Sequence, residues 1–400
     1  MTAEERFYNY ISFGTNSDED STSVPSTASQ LRLGQHIADE LKAIGIENAR
    51  MDEYGYVYAF IPASKDREHE LPLGFIAHMD TSPDAPGDNI RARTIKYEGG
   101  DIELSDGITM READFSVLER YKGQRLIVTD GKTLLGADDK AGIAEIVTAA
   151  EYVVSHPELS HRAMAICFTT DEEINRGTDY FDKEKFGARF AYTLDGGTMG
   201  GIEAENFNAA GVDVTVHGVS IHPGSAKNKM KNAVLLASEF ISRLPAAESP
   251  AHTEDHEGFY HVNSVEGFVG EAHIHILIRD FYSDGFAKRK SFILELTSHL
   301  NRVYGENTFE TVIEDSYYNM YEVITPFDWL ITDAENAMSS LGVEPYLCPI
   351  RGGTDGAKLS YQGIPCPNLP TGGENFHGVY EFVSADAMEQ MVQVIIKLIS

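Results

Sequence analysis

The hydrophobic pattern of the chain changes period several times. Residues 26–46 start on Ser and Thr, carry apolar residues at helical spacing and close near Gly45, which predicts a helix with defined ends. Residues 54–62 (YGYVYAFIP) and 71–80 (LPLGFIAHMD) are short apolar runs that predict strands. After a polar, Gly-rich excursion, 125–130 (RLIVTD) predicts another strand and 140–156 a strongly patterned helix. The runs 162–173 (RAMAICFTTDEE) and 188–197 (ARFAYTLDGG) read as strands that break abruptly into acid. Strands alternating with helices predict an α/β layer with a mostly parallel sheet. Ligands of such sheets gather at the carboxyl ends of the strands.

Beyond residue 207 the texture changes. Alternating strands (GVDVTVHG, EAHIHILIRDF, ENTFETVIED) are interleaved with helical stretches at 232–245 and 286–305. This compact β-α-β-β-α-β pattern predicts an inserted α+β, ferredoxin-like domain. From about residue 318 the α/β texture resumes, with helices near 327–342 and 384–399. The expected organisation is therefore 1–207 and 318–400 as the two segments of a catalytic domain, with 208–317 inserted as a lid or dimerisation domain.

Charge narrows the function. Lys and Arg number 32 against 63 Asp and Glu, a formal net charge of −31. That works against nucleic-acid backbones and anionic membrane surfaces, so neither is an expected partner. Cys167, Cys348 and Cys366 are scattered, odd in number and free of CxxC spacing, which suits a reducing compartment. The opening residues MTAEERFYNYISF lack a secretory pattern, and no stretch approaches a membrane-spanning length; a cytoplasmic protein is expected.

The chemistry lies where apolar runs end. His78 and Asp80 stand two apart at one strand end, so both point to one face. Asp138/Asp139, Asp171/Glu172/Glu173 and Asp195 are expected at further strand ends, and His377 lies in a Gly-rich loop, TGGENFHG. Any one of these carboxylates alone reads as a cap or a solvated turn. Together at one rim they would repel each other, and a divalent cation removes that repulsion. Imidazole and carboxylate without thiolate suit zinc, manganese or cobalt, and five such groups could hold two ions. In Glu172–Glu173 one carboxylate can bind metal while its neighbour stays free as a general base.

The motifs IAHMDTSPDAPG, LLGADDKAGIAEI, TTDEE, LDGG, SIHPG, RGGTDGAKLS and TGGENFHG resemble the peptidase T family. This is the tripeptide aminopeptidase branch of the dizinc exopeptidase and deacylase superfamily, and the resemblance runs end to end. It implies a zinc-exopeptidase-like catalytic domain and two zinc ions per chain, replaceable by manganese or cobalt. His78, Asp138 and Asp195 would hold one ion, and the bridging Asp138 with Glu173 and His377 the other. Glu172 would be the general base, and Asp80 the acid that orients His78. A cis peptide is implied at Asp138–Asp139. His222 would reach towards the substrate, and Arg279 and Arg351 would receive the peptide's C-terminal carboxylate; the alternative for Arg351 is an ion pair with Asp355. Thr170 stands where the family usually has Pro, and Glu374 where it has an aromatic residue.

The implied reaction is release of the N-terminal residue from tripeptides, with a small peptide as substrate and a homodimer through the inserted domain as the oligomer it allows. The nearest alternatives are a dipeptidase or an N-acyl-amino-acid deacylase of the same superfamily. A non-catalytic metal binder would have no use for a base at Glu172.

Overall fold

The computed structural model describes residues Met1–Ser400. Its main sheet has strands β1 (Arg50–Met51), β2 (Val57–Ile61), β3 (Leu73–His78), β4 (Met164–Thr169), β5 (Phe190–Gly196) and β6 (Asn368–Pro370) in the order β1-β2-β4-β3-β5-β6. β4, β3, β5 and β6 run parallel, and β1 and β2 form an antiparallel edge. Every residue of β3 and β4 is buried, as expected for parallel strands covered on both faces. The helices Ala3–Tyr10, Ala137–Ser155 and Ala385–Ile399 supply one cover, packing Phe7, Ile143, Ile146, Val147, Met391 and Ile395 into the core. Thr2 and Ser384 cap two of them by accepting from the main chain of Glu5 and Ala387.

Parallel register builds the rim that matters. His78 pairs with Thr169 and Ile76 with Thr193, so His78, the TTDEE turn and Asp195 emerge from three adjacent strands at the same end. The helix Ala137–Ser155 presses onto β5 at Gly142, where a Cβ would lie 2.1 Å from the Leu194 carbonyl oxygen. Only glycine permits this approach.

Two sequence expectations change. The run 125–130 does not join the parallel layer. Its strand Arg125–Val128 lies between Arg93–Lys96 and Phe382–Ser384 in a separate antiparallel sheet. Asp138 and Asp139 are not at a strand end but at the start of the helix Ala137–Ser155, with non-helical backbone angles and a cis peptide between them.

The chain divides into two units, Met1–Ala204 with Glu322–Cys348 and Thr354–Ser400, and Glu205–Tyr321 with Pro349–Gly353. The last five residues, expected in the catalytic segment, group with the second unit because Ile350 is bridged to Asn206 and its carbonyl accepts from Phe207 N. That unit is a four-stranded antiparallel sheet in the order Phe259–Phe268, Glu271–Asp280, Asn208–His217, Phe309–Tyr317. Alternation puts Val212, Val214, Val216, Ile274, Ile276 and Ile278 under the helices Ala233–Ser242 and Ser283–Tyr304. The opposite face is polar, with His275 Nδ1 2.8 Å from Asp213 Oδ1.

Candidate metal centre

His78 ends β3 with its side chain 2 % exposed. Its Nδ1 lies 3.0 Å from the Asp80 main-chain oxygen, an arrangement in which Nδ1–H donates and Nε2 is free to act as a ligand. Nε2 faces Asp138 Oδ1 at 2.8 Å and Asp195 Oδ1 at 3.4 Å. His377 gathers a second group: its Nε2 is 2.9 Å from Glu173 Oε2 and 3.3 Å from Asp138 Oδ2. Asp138 thus offers one oxygen to each imidazole. Ligand atoms of His78, Glu172 and Asp195 lie within 4.8 Å of one another, as do those of His78, Asp138 and Glu173.

Asp80 does more than face His78. Its fully buried carboxylate accepts from the main-chain N–H groups of Glu172 (3.0 Å) and Glu173 (3.1 Å), while Oδ1 is 3.4 Å from His78 Nδ1. One side chain therefore fixes the acidic turn against the strand that carries the imidazole. Asp171 turns away: it has φ of 59° and accepts from Ser26 N, Ser26 Oγ and Gln30 Nε2 at 2.5–2.6 Å.

The electrostatics are those of crowded buried anions. Burial, then the Asp195 charge, pushes the Glu172 carboxyl well up. Burial raises Glu173 and Asp195 to about 7, with Asp138 adding to each. The imidazoles respond in kind. Hydrogen bonds to Asp138 and Glu173 raise His377 to about 11. Burial opposes the charge on His78, but its hydrogen bonds to Asp138 and Asp195 outweigh that and raise it well above the usual value. Asp138 falls well below the carboxylate range because its bonds to both imidazoles overcome burial. A site that draws protons this strongly is one that positive charge stabilises. Glu173 Oε1 is buried with no hydrogen-bond partner, an orphan acceptor on the carboxylate whose Oε2 faces His377. With borderline and hard donors, two ligand groups sharing members and no thiolate, the residues fit a pair of divalent cations.

His222, Arg279 and Arg351 belong to the second unit. His222 is exposed and its Nδ1 accepts from Gly224 N at 3.1 Å. Arg279 donates to the Ile278 carbonyl at 2.9 Å and lies 5.4 Å from the Tyr317 ring centroid. Arg351 finds its partners within its own unit. Its guanidinium donates to the carbonyls of Asp255 and Thr253 and stacks 5.0 Å over Phe207 and 5.8 Å over Phe259. Asp355 accepts from Thr169 Oγ1 at 2.8 Å. Glu374 is a buttress, accepting from Tyr121 OH at 2.6 Å and Thr198 Oγ1 at 2.5 Å.

Sequence reasoning did not anticipate that Asp139 and Glu381 hold the main chain around the candidate ligands. Asp139 accepts from His78 N at 3.1 Å and Gly142 N at 3.3 Å; its place in ADDKAG was the only signal. Glu381 accepts from three main-chain N–H groups of the loop that leads to Asp138, 243 to 246 residues away in sequence, and nothing local marks it.

Residues 204–308 match a family described as the peptidase dimerisation domain. Peptidase T of Halothermothrix orenii is 51 % identical over 399 residues, covering 99 % of this chain and 97 % of that one. Among solved structures, aminopeptidase PepT from Bacillus cereus superposes with a TM-score of 0.76 at 22 % identity, covering 99 % of this chain and 98 % of that one. A Bacillus subtilis dinuclear metal-binding peptidase of the M20 family gives 0.63 at 14 % identity, covering 99 % and 97 %.

Proposed function

The chain belongs to the peptidase T family, and we propose that it is a two-metal aminopeptidase that releases the N-terminal residue from tripeptides. The observation that carries this reading is Asp138, whose Oδ1 faces the imidazole of His78 and whose Oδ2 faces that of His377. His78, Asp138 and Asp195 would hold one cation, and Asp138, Glu173 and His377 the other. Imidazole and carboxylate donors without thiolate would suit zinc, with manganese or cobalt as substitutes.

Bound there, divalent cations supply polarisation of the scissile carbonyl and acidification of the attacking water. The chain's own groups do the rest. Glu172 takes the proton from the water and returns it to the leaving amine; its raised carboxyl is suited to both transfers. Asp80 keeps Glu172 and Glu173 in register by holding their main-chain N–H groups. His222 contributes to binding at the carbonyl.

Length selection needs a group that grips the far end of the peptide, which we assign to Arg351 with Arg279. Arg351 is presented rigidly by two carbonyls and two aromatic rings. A planar guanidinium receives a carboxylate through paired hydrogen bonds. Its loss is worth roughly 1.5–3 kcal/mol, about ten- to a hundredfold in kcat/KM. Arg351→Ala should impose that penalty on free-acid tripeptides and barely alter tripeptide amides; equal losses on both exclude the assignment.

The unpaired cysteines and the net charge of −31 support a cytoplasmic enzyme without nucleic-acid partners. No helix is long and apolar enough to cross a membrane. The match to a dimerisation domain supports pairing of two copies through the inserted unit.

The deciding experiment combines metal analysis on protein purified without chelator with a peptide series. Two cations per chain and preference for free-amine tripeptides are expected. Faster cleavage of dipeptides or of N-acetylated substrates would overturn the reading.

A further inference from the structure

Glu381 is 1 % exposed and carries a charge-bearing group into the interior four residues after His377. Its Oε2 accepts from Leu135 N at 2.6 Å and Gly136 N at 2.9 Å, and its Oε1 from Asp138 N at 3.1 Å. The three donors converge because Gly136 has φ of 78°, a left-handed turn that aims successive N–H groups at one point. The nest sits at the start of the helix Ala137–Ser155, where the helix dipole adds to its hold on an anion. On the other side, Glu381 N donates to Gly378 O at 3.2 Å, so the residue is tied into the loop that presents His377. The His377 loop has a further tie at the end of the strand Arg125–Val128, where Thr129 Oγ1 donates to Val379 O at 3.2 Å.

Asp138 is the one candidate ligand that faces both imidazoles, so its direction would set the spacing of two cations held there. Its side-chain torsions act on a main chain that Glu381 fixes at the amide of Asp138 itself. Asp139 fixes the next residue against His78 N and Gly142 N. The bridging carboxylate thus springs from a segment clamped from two sides, and the clamp from Glu381 originates in the loop that carries the opposite ligand, His377.

We propose that Glu381 is a positioning residue that locks the Leu135–Asp138 loop to the His377 loop and so presets the bridging carboxylate before any cation binds. This rests on the two-cation reading above. Glu381 touches neither substrate nor cation, and it acts only through Asp138 and His377.

The test uses Glu381→Gln, which keeps the shape but turns an amide N–H₂ towards main-chain donors. Zn²⁺ titration by calorimetry should show two cations bound by both proteins, with affinity for the pair weakened roughly 10- to 100-fold in the variant. At saturating Zn²⁺ the variant's kcat should recover while KM for a tripeptide stays at the wild-type value. A purely structural role would instead lower the melting temperature and leave the affinity of the folded fraction alone. Wild-type affinity in folded Glu381→Gln overturns the positioning role while leaving the two-cation reading intact. A wild-type protein that binds no pair of cations overturns both. Hydrogen exchange on chelator-stripped wild type supplies an arm independent of the variant. The amides of Leu135, Gly136 and Asp138 should stay protected without metal, and exchange at open-loop rates would show that the cation, not Glu381, orders the loop.

Discussion

His78 ends a strand in the middle of a parallel sheet, is 2 % exposed, and has its second ring nitrogen on a main-chain oxygen at 3.0 Å. His377 sits in a loop with φ of 63°, is 44 % exposed, and its second nitrogen finds only Asp84 at 3.4 Å, a carboxylate that is itself 70 % exposed. The two imidazoles have equivalent parts in the proposed centre but are held in different ways. One half is built from the rigid carboxyl ends of paired strands, where register decides position. The other is hung from a loop and depends on side-chain links such as Glu381 to reach the same precision. The difference predicts a tightly held cation on the His78 side and a more exchangeable one on the His377 side.

The largest effects strip away what the halves share. Glu172→Gln should lower kcat by several orders of magnitude with about two cations still bound, because the base goes and the ligands stay; a variant that keeps most activity would refute the assignment. Asp138→Ala should lose both cations, read by elemental analysis after desalting, and retention of either would show that the halves do not share a ligand.

The imidazoles test the asymmetry itself. His377→Ala should retain one cation per chain, whereas His78→Ala, which strips the tightly held position and leaves only the exchangeable one, should retain less than one. Equal retention would break the comparison. A smaller effect is expected at Asp84→Asn, where the contact is long and solvated. Its cost in affinity for the exchangeable cation should be no more than about tenfold, the low end for a residue that orients a metal ligand. A larger loss would mean the loop half is more tightly built than its exposure suggests.

An effect on stability alone, with no change in cation binding, comes from a carboxylate on the same helix as Asp138 that has no compensating charge. Glu145 is fully buried, neither oxygen has a partner, and burial raises its pKa well above the usual value. The folded chain therefore keeps a proton that the unfolded chain releases above about pH 4.3, so stability falls as pH rises past that point. Glu145→Met should flatten that slope and stabilise the protein at pH 8 by about 1–3 kcal/mol, measured by the denaturant midpoint across pH. An unchanged slope would show that burial alone does not cost these acids what the metal-centre argument assumes.

The sequence by itself determined the local pieces. Continuous apolar runs announced buried parallel strands, and the acids and imidazole at their ends are legible because chemistry placed where a strand stops cannot be core packing. The change of period after residue 207 falls close to Glu205, where the second unit begins, and the motif resemblance implied the proposed ligand set, in which His377 stands 299 residues from His78. Tertiary structure alone decided how those groups are held. Arg125–Val128 looks like any apolar strand, and only its partners put it in a separate antiparallel sheet. Asp80 reads as a partner of His78, yet its carboxylate spends its two oxygens on the main chain of Glu172 and Glu173. Glu381 carries no local signal, because its role is to accept hydrogen bonds from amides that every residue possesses. A main-chain donor has no identity in the sequence; only folding brings three of them to one carboxylate.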